Sequence, residues 1–121
     1  MTLASPARIR SLLEELGVRP NQKLGQNFLA DGNILRILTA TAALESGDRV
    51  MEVGPGLGIV TEELVAACGF VVAVERDRRL FGYLQDRFAR ADRLELVCGD
   101  VLAMPPRSLD AYRVGKIVSN L

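Results

Sequence analysis

The stretch Arg49-Val-Met-Glu-Val-Gly54-Pro-Gly56-Leu-Gly58 reads as a buried strand running directly into a glycine-rich turn that opens a helix. Gly54 and Gly56 carry no Cβ, so the backbone can bend sharply and a ligand can lie against bare peptide, while amides at the start of the next helix point outward. A tight turn between strand and helix also occurs in doubly wound proteins with no ligand there. The residues on either side of the turn therefore have to decide what it does.

Downstream of the turn, strand and helix signals alternate. Residues 50–53 form a first strand, 59–68 a helix, 70–74 a second strand and 78–91 a helix with Leu80, Phe81, Leu84 and Phe88 facing inward. Residues 94–98 form a third strand, Pro105-Pro106 marks a loop, and 116–119 begin a fourth strand. Strands separated by helices of this length form a parallel sheet, and ligands bind at the carboxyl ends of its strands. Upstream, Ser5-Pro6 starts a short amphipathic helix with Ile9, Leu12, Leu13 and Leu16 on one face before Gly17 stops it. Residues 18–30 read as an irregular loop containing Pro20, Asn21 and Gly25, and Asp31 can cap a helix running to about Leu44.

With 121 residues, of which 49% are hydrophobic, the chain can bury a core but has room for one domain at most. Fifteen basic residues balance fifteen acidic ones, so no overall basic excess announces nucleic acid. Residues 1–36 hold five basic and three acidic side chains, leaving +2, a bias too small to build on. Cys68 and Cys98 both fall in apolar segments without C-x-x-C spacing, and the chain has no histidine. They read as core thiols of a reducing compartment rather than metal ligands. No apolar run approaches a membrane span, and the amino terminus has no apolar leader segment, so a cytoplasmic location is expected.

The glycine spacing narrows the ligand. A dinucleotide fingerprint has G-x-G-x-x-G with a pyrophosphate on the helix, whereas this turn is G-x-G-x-G preceded by Glu52. That combination suits the aminocarboxypropyl end of S-adenosyl-L-methionine better than a pyrophosphate. In a parallel sheet Gly54, Glu75, Asp100 and Asn120 share one edge. Glu75 lies 21 residues after Gly54, the separation at which an acidic residue ending the second strand takes both ribose hydroxyls. Asp100, after Gly99, is placed to accept from an adenine amino group. The bland alternative is that carboxylates such as Glu75 and Asp77 simply begin the next helix, at its positive dipole end.

Leu24-Gly25-Gln26-Asn27-Phe28-Leu29 with Asp31 and Asn33, Glu52-Val-Gly-Pro-Gly-Leu-Gly58, Val74-Glu75, Gly99-Asp100 and Val118-Ser119-Asn120-Leu121 together resemble the amino-terminal half of the small-subunit rRNA adenine dimethyltransferases. These enzymes place two methyl groups on each of two adjacent adenines near the 3′ end of 16S rRNA. The resemblance runs from about Arg8 to the last residue. Its L-G-Q-N-F-L block is nearly private to the family and its relatives, whereas the glycine turn is common to many methyltransferases.

The resemblance implies an α/β, Rossmann-like class I methyltransferase fold. Residues 1–44 would form N-terminal helices and a loop covering the cofactor, and residues 45–121 part of the S-adenosylmethionine-binding domain, stopping after about four strands. It implies that Asn27 and Leu29 close over the methionine and adenosine portions of the cofactor and that Gly54, with Gly56, supports the methionine end. Glu75 would take the ribose, Asp100 the adenine, and Asn120 would lie between cofactor and target base. In the family motif N-L-P-[YF] the asparagine side chain and a main-chain carbonyl accept from the adenine amine, here Asn120 and Leu121. Those acceptors turn the planar nitrogen toward the tetrahedral shape that attack on a sulfonium methyl requires, and the aromatic ring stacks on the flipped base. The sulfonium is already activated, so no metal is expected, and the expected partner is 16S rRNA in the small subunit or its precursor.

The chain departs from the pattern in two places. It ends at Leu121, one residue before the family's proline and aromatic, and the later strands and the small helical rRNA-gripping domain do not follow; a fragment that is inactive or unstable alone is therefore expected. Gln22 stands where many relatives carry lysine. Three rival readings remain. One is the 23S rRNA adenine methylases of macrolide resistance, which share Q-N-F but usually have Gly-x-Gly-Lys-Gly at the turn. Another is a non-catalytic rRNA-binding assembly factor, and the last an NAD-dependent oxidoreductase, disfavoured by the glycine spacing.

Overall fold

The structure is a computed structural model that describes residues 11, 14–17, 43–105 and 107–119. From Ala43 onward, four strands and three helices alternate: β1 (Arg49–Val53), α1 (Ile59–Ala67), β2 (Phe70–Glu75), α2 (Arg78–Arg87), β3 (Leu94–Cys98), a 3₁₀ turn (Val101–Ala103), α3 (Arg107–Tyr112) and β4 (Lys116–Ser119). The strands form one parallel sheet in the order β3-β2-β1-β4.

The central strands are apolar along almost their whole length because helices and connections cover both faces of the sheet. Alternate side chains of β1 and β2 go to opposite faces. Val50 and Val71 pack on one side with Val60, Leu64 and Cys68, bringing α1 onto that face. Met51, Val72 and Val74 lie on the other side, against Val101, Met104, Tyr112 and Val114 from the connection between β3 and β4. Leu80 and Leu84, the buried residues of α2, seat that helix against β2 and β3.

The amino ends of the strands are tied together by polar contacts. Lys116 Nζ donates to Asp48 Oδ2 at 2.8 Å and to the Ala43 carbonyl at 2.7 Å. The Lys116 hydrogen bond holds the Asp48 carboxyl below its usual value. Arg49 lies over the Phe70 ring at 4.3 Å and donates to the Tyr112 carbonyl at 2.8 Å. The carboxyl ends, by contrast, open into the glycine turn, the loop before α2 and the 3₁₀ turn.

The strands match the sequence reading to within one residue, β2 running one further, to Glu75. Four differences concern the helices, the first being that α1 ends at Ala67 rather than Cys68, which has left the helical region at φ −110. α2 stops at Arg87 rather than Ala91: Phe88 leaves the helical region at φ −106, and Ala91 N turns back to the Phe88 carbonyl. Pro105 introduces not only a loop but the six-residue α3. Phe81 and Phe88 are half-buried, not core. Cys68 is a core thiol as expected, but Cys98 is exposed, because it ends β3, an outer strand of the described sheet. Ser11, Glu14 and Glu15 are helical and Gly17, at φ +68, follows them. Ala43 is a turn residue and Leu44 is not helical. The rest of the two expected N-terminal helices, and the loop between them, lie outside the described residues.

Candidate cofactor-binding site

The register of the sheet sets the turn beside the ends of its neighbours. Val53 pairs with Val74 on one side and Ser119 on the other, and Glu75 pairs with Cys98. Gly54 N donates to the Val74 carbonyl at 3.0 Å and Gly99 N to the Glu75 carbonyl at 2.9 Å. Gly54, Glu75 and the Gly99-Asp100 step therefore follow one another along a single rim. Asn120 and Leu121 follow Ser119 in the chain, and Asn27 and Leu29 fall in the segment that the sequence reads as a loop; all four lie outside the described residues.

The turn runs through positive φ at Gly54 (71°), Gly56 (60°) and Gly58 (84°), a conformation other residues rarely adopt. The reasons for glycine differ along it. No described atom comes within 4 Å of where a Cβ on Gly54 or Gly56 would stand, so among the described residues nothing crowds the bare backbone there. At Gly58 a Cβ would stand 2.6 Å from the Phe88 ring, so that glycine is demanded by close packing.

Glu75 closes the turn against β2. It is 5% exposed, and its two carboxylate oxygens accept separately, Oε1 from Gly56 N and Oε2 from Asp77 N, each at 2.9 Å. Each oxygen has two acceptor positions, so capacity for a ligand's hydroxyls remains after these bonds are made. Asp77 does the helix-starting work, Oδ1 accepting from Arg79 N at 2.8 Å and Leu80 N at 3.0 Å. Asp100 has a local task too: its Oδ1 accepts from Leu102 N at 2.9 Å and caps the 3₁₀ turn.

Glu52 contributes more than its place in the sequence suggests. Its side chain points into the interior at 4% exposure, where Oε1 accepts from the Thr61 hydroxyl in the first turns of α1. The available signal is an acid inside the otherwise apolar Val-Met-Glu-Val; its partner nine residues on is not readable from the pattern. Burial pushes the Glu52 carboxyl up from 4.5 to about 7, and the Glu75 charge adds to this while the Thr61 hydrogen bond opposes it. The folded state thus holds an extra proton between these values, so the stabilisation is complete below about pH 4.5 and is lost as pH rises to about 7. At about 1.4 kcal/mol per unit the loss amounts to roughly 3–4 kcal/mol. Glu52→Gln keeps an acceptor for Thr61 without a charge. Denaturant unfolding is expected to show this variant gaining roughly 2 kcal/mol on the unsubstituted chain between pH 5 and 8. A difference that does not change with pH would contradict the assignment.

The donor set can be matched to a ligand on these observations. Backbone at Gly54 and Gly56 that no described atom crowds, with the Glu75 carboxylate tied to the Gly56 amide and Asp100 farther along the rim, suits a nucleoside carrying positive charge. An ammonium and a sulfonium gain from such surroundings, whereas a pyrophosphate meets like charge.

A parallel sheet with a G-x-G-x-G turn and an acidic residue ending its second strand is the Rossmann-like class I methyltransferase fold. Solved structures that share it at 25% identity or more include the following two. A dimethyladenosine transferase from Plasmodium falciparum superposes with a TM-score of 0.58 and 26% identity, over 62% of this chain and 28% of that one. The 23S rRNA methyltransferase ErmE superposes with a TM-score of 0.58 and 32% identity, over 63% of this chain and 32% of that one. Residues 17–121 match the family described as ribosomal RNA adenine dimethylase, and the chain belongs to that family. Proteins named ribosomal RNA small subunit methyltransferase A are similar over nearly the whole chain. The one from Moorella thermoacetica is 41% identical over 99% of this chain and 45% of its own length. That from Leifsonia xyli subsp. xyli is 43% identical over 100% and 44%, and that from Deinococcus radiodurans 40% identical over 98% and 40%. The chain thus spans less than half the length of these curated relatives.

Proposed function

We propose that the chain is the cofactor-binding part of an S-adenosylmethionine-dependent enzyme that dimethylates N6 of two adjacent adenines near the 3′ end of 16S rRNA, in the small subunit or its precursor in the cytoplasm. The observation that carries this reading is the tie between Glu75 and the Gly56 amide, beside backbone at Gly54 and Gly56 that no described atom crowds. The names of the similar proteins support the rRNA and the small subunit as its target.

When bound, the cofactor supplies a sulfonium methyl ready for transfer to a nucleophile. The chain's residues bind and orient. Gly54 and Gly56 offer bare peptide to the methionine end, Glu75 accepts from the ribose hydroxyls through its remaining acceptor positions, and Asp100 accepts from the adenine amine. Asn27 and Leu29 cover the cofactor from the N-terminal region. Asn120 and the Leu121 carbonyl accept from the target amine, and this alignment converts an encounter into an effectively intramolecular step. In this division residues 1–44 serve as cover and residues 45–121 as binding scaffold.

A second reading, a 23S rRNA adenine methylase, is favoured by the 32% identity to ErmE. Incubating the whole enzyme, of which the chain is proposed to be the cofactor-binding part, with methyl-labelled cofactor and either 30S or 50S particles distinguishes the two. Label recovered as dimethyladenosine in 16S rRNA is the expected result, and label confined to 23S rRNA would overturn the preferred substrate.

A further inference from the structure

The glycine turn is held from behind by the end of α2. Arg87 donates one guanidinium nitrogen to the Leu57 carbonyl inside the turn and another to Glu62 Oε2, at 2.5 Å, in the first turn of α1. Its side chain is 14% exposed. Phe88 follows and sets its ring against Gly58, with the Arg87 guanidinium 5.0 Å above that ring. Gly58, the N-cap of α1, has a left-handed backbone and no side-chain cap. The brace on the turn therefore comes from a residue thirty positions downstream. Only a planar fork reaches a carbonyl and a carboxylate in fixed directions at once; a lysine ammonium offers a point charge.

We propose that Arg87 is a positioning residue for the cofactor. By drawing the Leu57 carbonyl to the rear of the turn, it keeps the amides and the bare backbone of residues 54–58 aimed at the ligand. Arg87 touches neither ligand nor reacting atoms and acts through Leu57, Glu62 and the turn. This inference rests on the S-adenosylmethionine reading above.

Calorimetric titration with S-adenosylmethionine, paired with thermal unfolding, tests it on four variants. Arg87→Met is expected to bind about tenfold more weakly, reflecting part of a lost charge-assisted hydrogen bond. Arg87→Lys should recover to within about threefold of the unsubstituted chain, because one charged donor remains. Glu62→Gln, which leaves the Leu57 bond in place, should lose less than about threefold. Lys116→Met breaks the tie at the opposite ends of the strands; it should lower the melting temperature and leave affinity unchanged, separating positioning from general destabilisation. If Arg87→Met and Arg87→Lys both bind like the unsubstituted chain, the inference is overturned while the cofactor reading stands. An equal fall of affinity in Lys116→Met would overturn it in the same way. Should Arg87→Met fail to fold, Arg87→Gln takes its place, with the same expected loss of about tenfold and the same overturning result, binding like the unsubstituted chain. Absence of binding by the unsubstituted chain overturns both readings together.

Discussion

Glu75→Ala is expected to weaken S-adenosylmethionine binding by about 100-fold or more, the largest effect of any single change at the site. Two losses combine. The carboxylate proposed to accept from the ribose hydroxyls disappears, and hydrogen bonds to a charged acceptor contribute about 1.5–3 kcal/mol each. The Gly56 and Asp77 amides lose their shared partner, so the turn and the start of α2 are no longer tied to the same side chain. Because Glu75 is buried, the variant is also expected to be less stable by about 1–3 kcal/mol. Glu75→Gln separates the two contributions. Its carbonyl oxygen can still accept from Gly56 N, but its amide nitrogen cannot accept from Asp77 N, and an intermediate loss of about tenfold is expected. Calorimetry at a temperature where all three proteins are folded measures this series, and a Glu75→Ala variant with unaltered affinity would remove the carboxylate from the site.

The second large effect is on stability. Gly58→Ala is expected to cost about 2–5 kcal/mol, the sum of about 1–2 for a left-handed alanine and about 1–3 for overpacking. The physical causes are the φ of 84° and the approach of an added Cβ to 2.6 Å from the Phe88 ring and 2.9 Å from an Arg87 guanidinium nitrogen. Gly56→Ala makes the informative contrast. Its φ of 60° is strained as well, but the added methyl meets no described atom. Its stability loss should stay near about 1–2 kcal/mol while its methyl projects into the space assigned to the cofactor. Urea denaturation of the two variants reads this directly, and equal losses would show that the two glycines do the same work.

Much of this fold is legible in the sequence because a parallel sheet covered on both faces writes its strands as short apolar runs. Val50 to Val53, and Leu94 to Cys98, are bounded by glycines or charged turns that leave little choice of register. Helix ends are less legible. Nothing between Phe88 and Ala91 forbids a helix, and the chain leaves it there because Phe88 is needed against Gly58, a contact with no local signature. Pro105-Pro106 reads as a break, yet proline also begins helices, and the short α3 follows.

The site divides in the same way. The spacing from Gly54 to Glu75 is visible, since it measures one strand, one turn and one helix. That Glu75 holds the Gly56 amide is not, because the bond depends on how the turn folds back over β2. Asp77 and Asp100 both cap the element that follows them, and sequence alone does not separate that task from the ligand contact proposed for Asp100. Glu52 and Arg87 belong to the turn through partners on other elements, Thr61 and Leu57, which no local pattern announces.

The central claim is that the glycine turn and the Glu75 rim hold one S-adenosylmethionine. Backbone amide resonances recorded while the chain is titrated with S-adenosylmethionine, and in parallel with NAD, test it most directly. Saturable shifts at Gly54, Gly56, Glu75 and Asp100 with S-adenosylmethionine alone are the predicted result. Shifts at those residues with NAD alone, or saturation by S-adenosylmethionine with these four resonances unmoved, would contradict it.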